Sequence, residues 1–315
     1  MPNIELTDKE FELKYPGILD ILLLDRTTNK NLVYGTSNYL SAGHKPEDEI
    51  ELVALTKSSS PLIRPRTEKT KAEKKKRSRD AAEVFTPSWV CNIQNNLIDD
   101  KWFGHKNSFN IETEQGWMVN EKIAFEDKIW KDYVDLERME ITCGEAPYLA
   151  SRYDAVDGVE IEVRNRIGLL DRKLRAIGEN VHDQETYLSY ALTALKRVYG
   201  FDFQGDNVLL ARKNLFFDFI EHYYDKFGGE PSLSVLAEAA EIISYNIFQM
   251  DGMKFVIPFS CHKEAKGMSL LADMPPELEA CYGCETGKIF EHNGIYVTIK
   301  DWRNNKLIRF VDLMR

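Results

Sequence analysis

The sequence predicts an α/β fold with a mostly parallel sheet, preceded by a small N-terminal α+β unit. Two observations carry this expectation. Three segments each read as a short apolar strand ending in an acidic residue, at Glu140, Asp202 and Asp251, with turn residues after it. Between them lie stretches with apolar residues at three-to-four spacing, such as Leu188, Ala191, Leu192, Leu195 and Val198, which read as helices burying one face. Strands that alternate with helices are expected to lie parallel in one sheet. Their ligand site falls outside the carboxyl ends of the strands.

Composition bounds the rest. With 43% hydrophobic and 11% aromatic residues, the 315-residue chain reads as a folded protein with room for one large or two modest domains. It has no run of eighteen apolar residues and hence no expected membrane span. Its polar, partly acidic first ten residues do not read as a signal peptide, so a cytoplasmic location is expected. The five cysteines are an odd, unevenly scattered set, better suited to reduced thiols or metal ligands than to a disulfide framework.

Residues 1–56 read as the small first unit. Pro16-Gly17 opens a short helix through Leu23, a polar turn follows, and Leu32-Val33-Tyr34 resumes as a strand. Residues 57–79 read as a linker and basic arm. Ten Lys or Arg stand against two Glu, a net of +8, which leaves the remainder of a chain of net charge −10 near −18. Arg64, Arg66, Lys74, Lys75, Lys76 and Arg77 are therefore candidate phosphate contacts on double-stranded DNA, since clustered cations release the counterions of a phosphate backbone. A second basic group, Arg164, Arg166, Arg172 and Lys173, reads equally as DNA contacts or as a solvated face. Trp102, Trp117 and Trp130 read as core anchors.

Residues 80–315 form the main body, and here motifs appear. Glu140-x-x-Cys143-Gly144-x-Ala146-x-Tyr148-Leu149 reads as a strand, a tight turn and then a helix. It resembles the first motif of the DNA adenine-N6 methyltransferases (subunit M of restriction–modification systems), with Ala146 in place of a second glycine and Tyr148 in place of phenylalanine. Phe85-Thr86-Pro87-Ser88-Trp89-Val90 is similar to the segment preceding that motif in the same enzymes. Asp202 with Ala211-Arg212-Lys213-Asn214-Leu215 is similar to their second motif, and Asp251 stands where the third would be. The resemblance implies a Rossmann-like methyltransferase fold that binds S-adenosylmethionine through Phe85, Thr86, Pro87, Glu140, Cys143, Gly144, Ala146, Asp202, Phe203 and Asp251. It also implies action on DNA, either alone or with a restriction-system partner subunit.

The resemblance breaks at the catalytic motif. The family's Asn/Asp-Pro-Pro-Tyr/Phe, which holds and stacks a flipped adenine, does not occur in the chain. Its nearest remnants are Val256-Ile257-Pro258-Phe259 and Met274-Pro275-Pro276-Glu277. Pro258 and Phe259 are the remaining catalytic candidates. Loss of the motif keeps a second expectation open, a catalytically inactive DNA-binding accessory subunit. In the same region Cys281 and Cys284, spaced Cys-x-x-Cys, lie about twenty residues after Cys261-His262, with His292 further on. This pattern suits a tetrahedral structural zinc site inserted at 261–292. The expected ligands are Cys261, Cys281, Cys284 and His292, with His262 as the alternative to a member of that set. The alternating segment 294–300 and the strand-like 307–313 should close a hairpin that completes the sheet.

Overall fold

The computed structural model describes residues 6–57, 61–81, 86–265 and 278–315. Phe85, Ser58-Ser59-Ser60 and Met274-Pro275-Pro276-Glu277 lie outside the described residues. The three strand-then-acid segments do form one parallel sheet. Arg138–Ile141 pairs with Val198–Asp202, which pairs in turn with Ile247–Gln249. The middle strand is buried along its whole length. Amphipathic helices fill the connections: Leu169–Asn180 and Gln184–Leu195 between the first two strands, then Gly205–Phe227 and Leu233–Asn246.

The sheet ends at three strands. The extended, mostly parallel Rossmann-like sheet expected from the sequence is not there. Among the described residues every other strand belongs to a two-stranded antiparallel pair, and about 45% of the chain is helical. The reason lies at both flanks. Before the sheet, residues 88–134 fold as the helix Ser88–Phe103, the hairpin Asn110–Thr113 with Gly116–Val119, and the short helix Trp130–Val134. After it, the alternation near the C-terminus is used within its own hairpin. Thr298–Asp301 pairs only with Lys306–Arg309, and Phe310–Met314 turns into a 3-10 helix. The hairpin is present as expected, but it does not complete the sheet.

The helix expected directly after the Gly144 turn is displaced. Ala146 holds a left-handed backbone at φ 63°, and Pro147, which has no amide proton, follows it. The chain loops out over residues 150–168 before the helix Leu169–Asn180 begins. The carbonyls of Tyr148 and Leu149 accept the N–H groups of Leu169 and Leu170, so the helix starts against the turn. The loop is pinned from within. Arg166 pairs with Asp218 at 2.8 Å and with Glu221 at 2.6 Å, and the Ser151 hydroxyl donates to Asp171 at 2.9 Å.

These contacts correct the reading of the second basic group. Arg166, Arg172 and Lys173 are buried, and only Arg164 is exposed. Arg172 pairs with Asp99 at 2.6 Å, and the Lys173 ammonium donates to the Tyr133 and Val134 carbonyls. They are cations of the core rather than DNA contacts or a solvated face.

The N-terminal unit shares this core. Phe11 and Tyr15 meet Phe216 and Phe217 at ring distances of 5.4 to 6.4 Å. Gln249, at the end of the third strand, clamps the unit by bonding both the Val33 N–H and carbonyl while also donating to the Phe203 carbonyl. Arg212, fully buried, donates to the carbonyls of Leu22, Leu24, Ser244 and Ile247. One guanidinium thus ties the first unit, the helix before the third strand and that strand together. Arg212→Ala strands those carbonyls in a dry site, and Arg212→Lys, a point donor, does not restore the fork. Urea denaturation is expected to show a loss of about 3–5 kcal/mol for Arg212→Ala, with most of that loss persisting in Arg212→Lys.

Candidate functional site

A cleft of about 690 Å³ opens at the carboxyl ends of the first two parallel strands, within the size range of small-ligand sites. Its walls include Glu140, Cys143, Gly144, Tyr148, Asp202 and Phe203, together with Thr86 and Asn95 from the preceding segment. The motifs therefore converge. Strand register sets Glu140 beside Gly200 and Asp202 beside Gln249, so both acids reach the same strand edge.

The turn after Glu140 is shaped around Asp202. Thr142, Gly144 and Ala146 all take left-handed backbones. A glycine adopts that conformation without penalty, whereas a threonine or alanine there is strained. The result brings the Gly144 N–H to 3.0 Å from one Asp202 oxygen, while the Gln204 N–H reaches the other at 2.8 Å. Asp202 is thereby fixed at the strand end.

Two cleft residues carry buried polar atoms with no protein partner. Glu140 is 8% exposed. Its Oε1 accepts the Tyr148 N–H at 3.4 Å, whereas Oε2 has no partner. Asn95 donates to the Tyr148 and Ile167 carbonyls, and its Oδ1 has no partner. Unpaired buried oxygens are costly unless a ligand or water meets them. Burial pushes the Glu140 carboxyl well above the usual carboxylate range, against the pull of the Tyr148 and Leu149 amides. It therefore holds a proton more tightly than an ordinary carboxyl.

Three sequence candidates sit elsewhere. Ala146 is wholly buried behind the turn, and Pro87 caps the helix Ser88–Phe103. Asp251 does not line the cleft. Its carboxylate accepts the Met253 and Lys254 N–H groups at 3.0 and 3.2 Å and pairs with the Lys254 ammonium. It spends its acceptors on its own turn.

The basic arm is reordered too. Residues 71–81 form a helix, and Arg77, expected on DNA, is buried in it. It pairs with Asp206 at 2.7 Å and donates to Gln204 and Asn207, both cleft residues. Arg64 pairs with Glu73, Arg66 donates to Ser78, and Lys74 reaches the Thr67 carbonyl. Lys71, Lys75 and Lys76 are exposed. The sequence reading missed Asn95, Gln204, Asn207 and Asp206. The last three follow Phe203 immediately, but nothing in their spacing distinguishes them from an ordinary helix start.

A second site is metal-like. Cys261, Cys281, Cys284 and His292 bring their ligand atoms within 4.8 Å of one another. The His292 Nδ1 lies 3.7, 3.6 and 3.6 Å from the three sulfurs. Zinc bonds of about 2.3 Å to sulfur and 2.0–2.1 Å to nitrogen in a tetrahedron require sulfur–nitrogen edges of about 3.6 Å. The cluster can hold a metal such as zinc. His262, the alternative ligand, is excluded from it, being exposed with its ring toward Ser260 and Glu264. Outer contacts support the ligands: the Asn293 N–H donates to Cys281 Sγ at 3.3 Å, and the Tyr296 hydroxyl accepts the His292 N–H. Gly283 and Gly294 are the unread part of this motif. A Cβ on Gly283 would lie 2.7 Å from the His292 ring, and one on Gly294 would lie 2.9 Å from Cys261 Sγ. Asp171, Asp218 and His222 also cluster, but their partners include Arg166, Ser151 and the Gly168 N–H, as in a core network.

No protein-family model, curated protein or solved structure matches this chain significantly. Among the described residues no helix is long and apolar enough to cross a membrane.

The raised Glu140 carboxyl gives a pH dependence. Below the usual value of 4.5 the carboxyl is protonated in both folded and unfolded chains. Above it the unfolded carboxyl ionises while the folded one keeps its proton, so stability falls as pH rises, until the folded carboxyl ionises as well. Glu140→Gln lacks this loss, worth up to about 1.4 kcal/mol per pH unit. Melting curves recorded upward from about pH 5 are expected to show the wild type losing ground to the variant until the folded carboxyl ionises. Parallel curves would contradict a raised Glu140 carboxyl.

Proposed function

We propose that the cleft binds S-adenosylmethionine and that the protein acts on double-stranded DNA as an adenine-N6 methyltransferase-like component of a restriction–modification or phage-related system. The observation that carries this reading is the meeting of Thr86, Glu140, Gly144, Asp202 and Phe203 in one cleft with unsatisfied buried oxygens. A fixed carboxylate at a strand end suits ribose hydroxyls, and a half-exposed aromatic beside it suits a planar base. The reading rests on this local geometry and on the motif resemblance, and it does not require the larger sheet. DNA enters through the exposed Lys71, Lys75 and Lys76, whose helix is fixed to the cleft wall by Arg77.

A second reading, an inactive DNA-binding accessory subunit, draws on one observation. Val256 and Ile257, which stand where the family's amide and proline would act, are buried apolar residues. Cofactor binding is common ground for the two readings, and methyl transfer divides them.

Calorimetric titration of S-adenosylmethionine into the protein is expected to show one site. Asp202→Asn should weaken it by roughly 10- to 100-fold, the worth of a hydrogen bond to a charged group. No heat with the intact protein would end the cofactor reading. Incubation of the loaded protein with mixed DNA and labelled cofactor then separates the enzyme from the accessory subunit.

For DNA, the triple substitution of Lys71, Lys75 and Lys76 by Ala should lower the salt dependence of binding by roughly one unit of slope for each phosphate that is no longer neutralised, with the melting temperature unchanged. Arg77→Ala behaves in the opposite way. It leaves the buried Asp206 without its guanidinium partner, costs about 3–5 kcal/mol of stability, and so must be kept out of any charge-removal test. DNA affinity that is indifferent to the triple substitution would remove the arm from the interface.

A further inference from the structure

We infer that the metal centre formed by Cys261, Cys281, Cys284 and His292 sets the position of Phe259 against the cleft residue Phe203, so that zinc occupancy governs ligand binding in the cleft. The identity of the ligand rests on the cofactor reading; the control of Phe259 does not.

An aromatic ring sits here in an unfavourable place. Phe259 is 52% exposed and holds a left-handed backbone at φ 62°. A bulky residue persists in that conformation only where its surroundings over-determine it. Its own packing is slight. The ring meets Phe203 edge-on at 5.6 Å and 79°, and Phe203 is itself a wall of the cleft.

What fixes Phe259 is the chain on either side. Upstream, the Ile257 N–H bonds the Ile295 carbonyl at 2.8 Å. Next to it, the Ser260 hydroxyl donates to the Ile257 carbonyl and accepts the Ile295 N–H at 3.0 Å. Two residues downstream stands Cys261, whose sulfur shares the cluster with Cys281, Cys284 and His292. The limb that faces this loop is the one carrying His292 and Ile295. Asn293, between them, bonds the backbone of His262 through both ends of its amide. The loop and that limb thus converge at the cluster. Nearer the sheet the two limbs are paired through Phe255, Val256 and Ile257 and share a buried apolar cluster with Val297. Beyond Phe259, among the described residues, the Ser260 and Asn293 hydrogen bonds join them, and there zinc would add a bond to Cys261 on the loop and one to His292 on the limb.

The chemistry of the donors favours this role. Three sulfurs and one imidazole form a closed tetrahedral set suited to zinc, with no position left open for a reacting water. Such a centre is structural, and its effect is exerted through what it holds in place. Here that is a three-residue span ending on Phe259, against the cleft residue Phe203.

The test compares metal-loaded protein, protein stripped by a chelator under reducing conditions, and Cys284→Ser. Elemental analysis should give one zinc per chain in the first and none in the others. Chymotrypsin digestion followed by mass spectrometry reads the bond after Phe259. Cleavage there is expected to be at least tenfold faster in stripped protein and in Cys284→Ser, and to be reversed in stripped protein by Zn²⁺ but not Mg²⁺. The bonds after the buried Phe201 and Phe248 serve as the control and should stay intact throughout. Failure to bind zinc, an unchanged rate at Phe259, or simultaneous cleavage at Phe201 and Phe248 would each overturn the proposal, the last because the metal would then hold the whole fold. Where the loaded protein binds S-adenosylmethionine, stripping and Phe259→Ala should each weaken it about tenfold, and unchanged affinity would overturn the coupling. Where it does not bind, the cofactor reading fails, while the digestion still decides whether the metal sets Phe259.

Discussion

The structure depends on guanidinium groups that have left water. Five arginines, Arg77, Arg152, Arg166, Arg172 and Arg212, are each at most 6% exposed. A buried cation is tolerated only where its charge and its donors are met. Each of the five therefore dictates the geometry around it. Arg212 gathers carbonyls from three segments. Arg152 and Arg166 meet Glu221 and hold the 150–168 loop to the long helix. Arg172 draws Asp99, Asn92 and Asn96 of the helix Ser88–Phe103 onto the helix Leu169–Asn180. Arg77 fixes the start of the helix Gly205–Phe227 through Gln204 and Asn207. With only three strands in the parallel sheet, these pairings do much of the positioning that a wider sheet would do by strand pairing.

This constraint explains which parts of the chain were legible in its sequence. Glu140, Cys143, Gly144 and Asp202 could be read because their roles follow from local spacing: a strand, an acid and a turn that needs a left-handed backbone. The three parallel strands were legible as short apolar runs followed by an acid and turn residues, and the C-terminal hairpin as alternation bounded by a turn. The metal cluster could also be read, since its cysteines carry a recognisable spacing. His292 was the expected fourth ligand, with His262 as the alternative, and the fold turns the His292 imidazole inward.

What was illegible is long-range. Lys and Arg in a row read as a solvated or DNA-facing surface, and composition offers no way to tell that Arg77 has Asp206 waiting 129 positions away. Arg166 and Arg172 were misread on the same ground. The extent of the sheet was misjudged differently. Successive strand-then-acid units announce that strands are parallel, but they are silent on how many neighbours the sheet acquires. Residues on both flanks had strand-like or helical patterns that were satisfied by pairing with themselves.

A small sheet changes how a strand-end cleft must be built. In a wide parallel sheet, neighbouring strands wall the crevice on both sides of the ligand. Here, beside the strand ends at Glu140 and Asp202, the walls come from outside the sheet: the helix Ser88–Phe103 through Asn95, the Gly144 turn, and the segment from Phe203 into the start of the helix Gly205–Phe227, held by Arg77 and Gln249. Each wall is tied by a different contact to a different part of the chain. The cleft is thus only as rigid as those ties, and it leaves two buried oxygens, on Glu140 and Asn95, without protein partners. A wall assembled from separate segments can retain such atoms at a tolerable cost only if something polar regularly meets them. That makes an occupant with hydrogen-bonding edges the economical explanation of the cleft, whichever chemistry follows its binding.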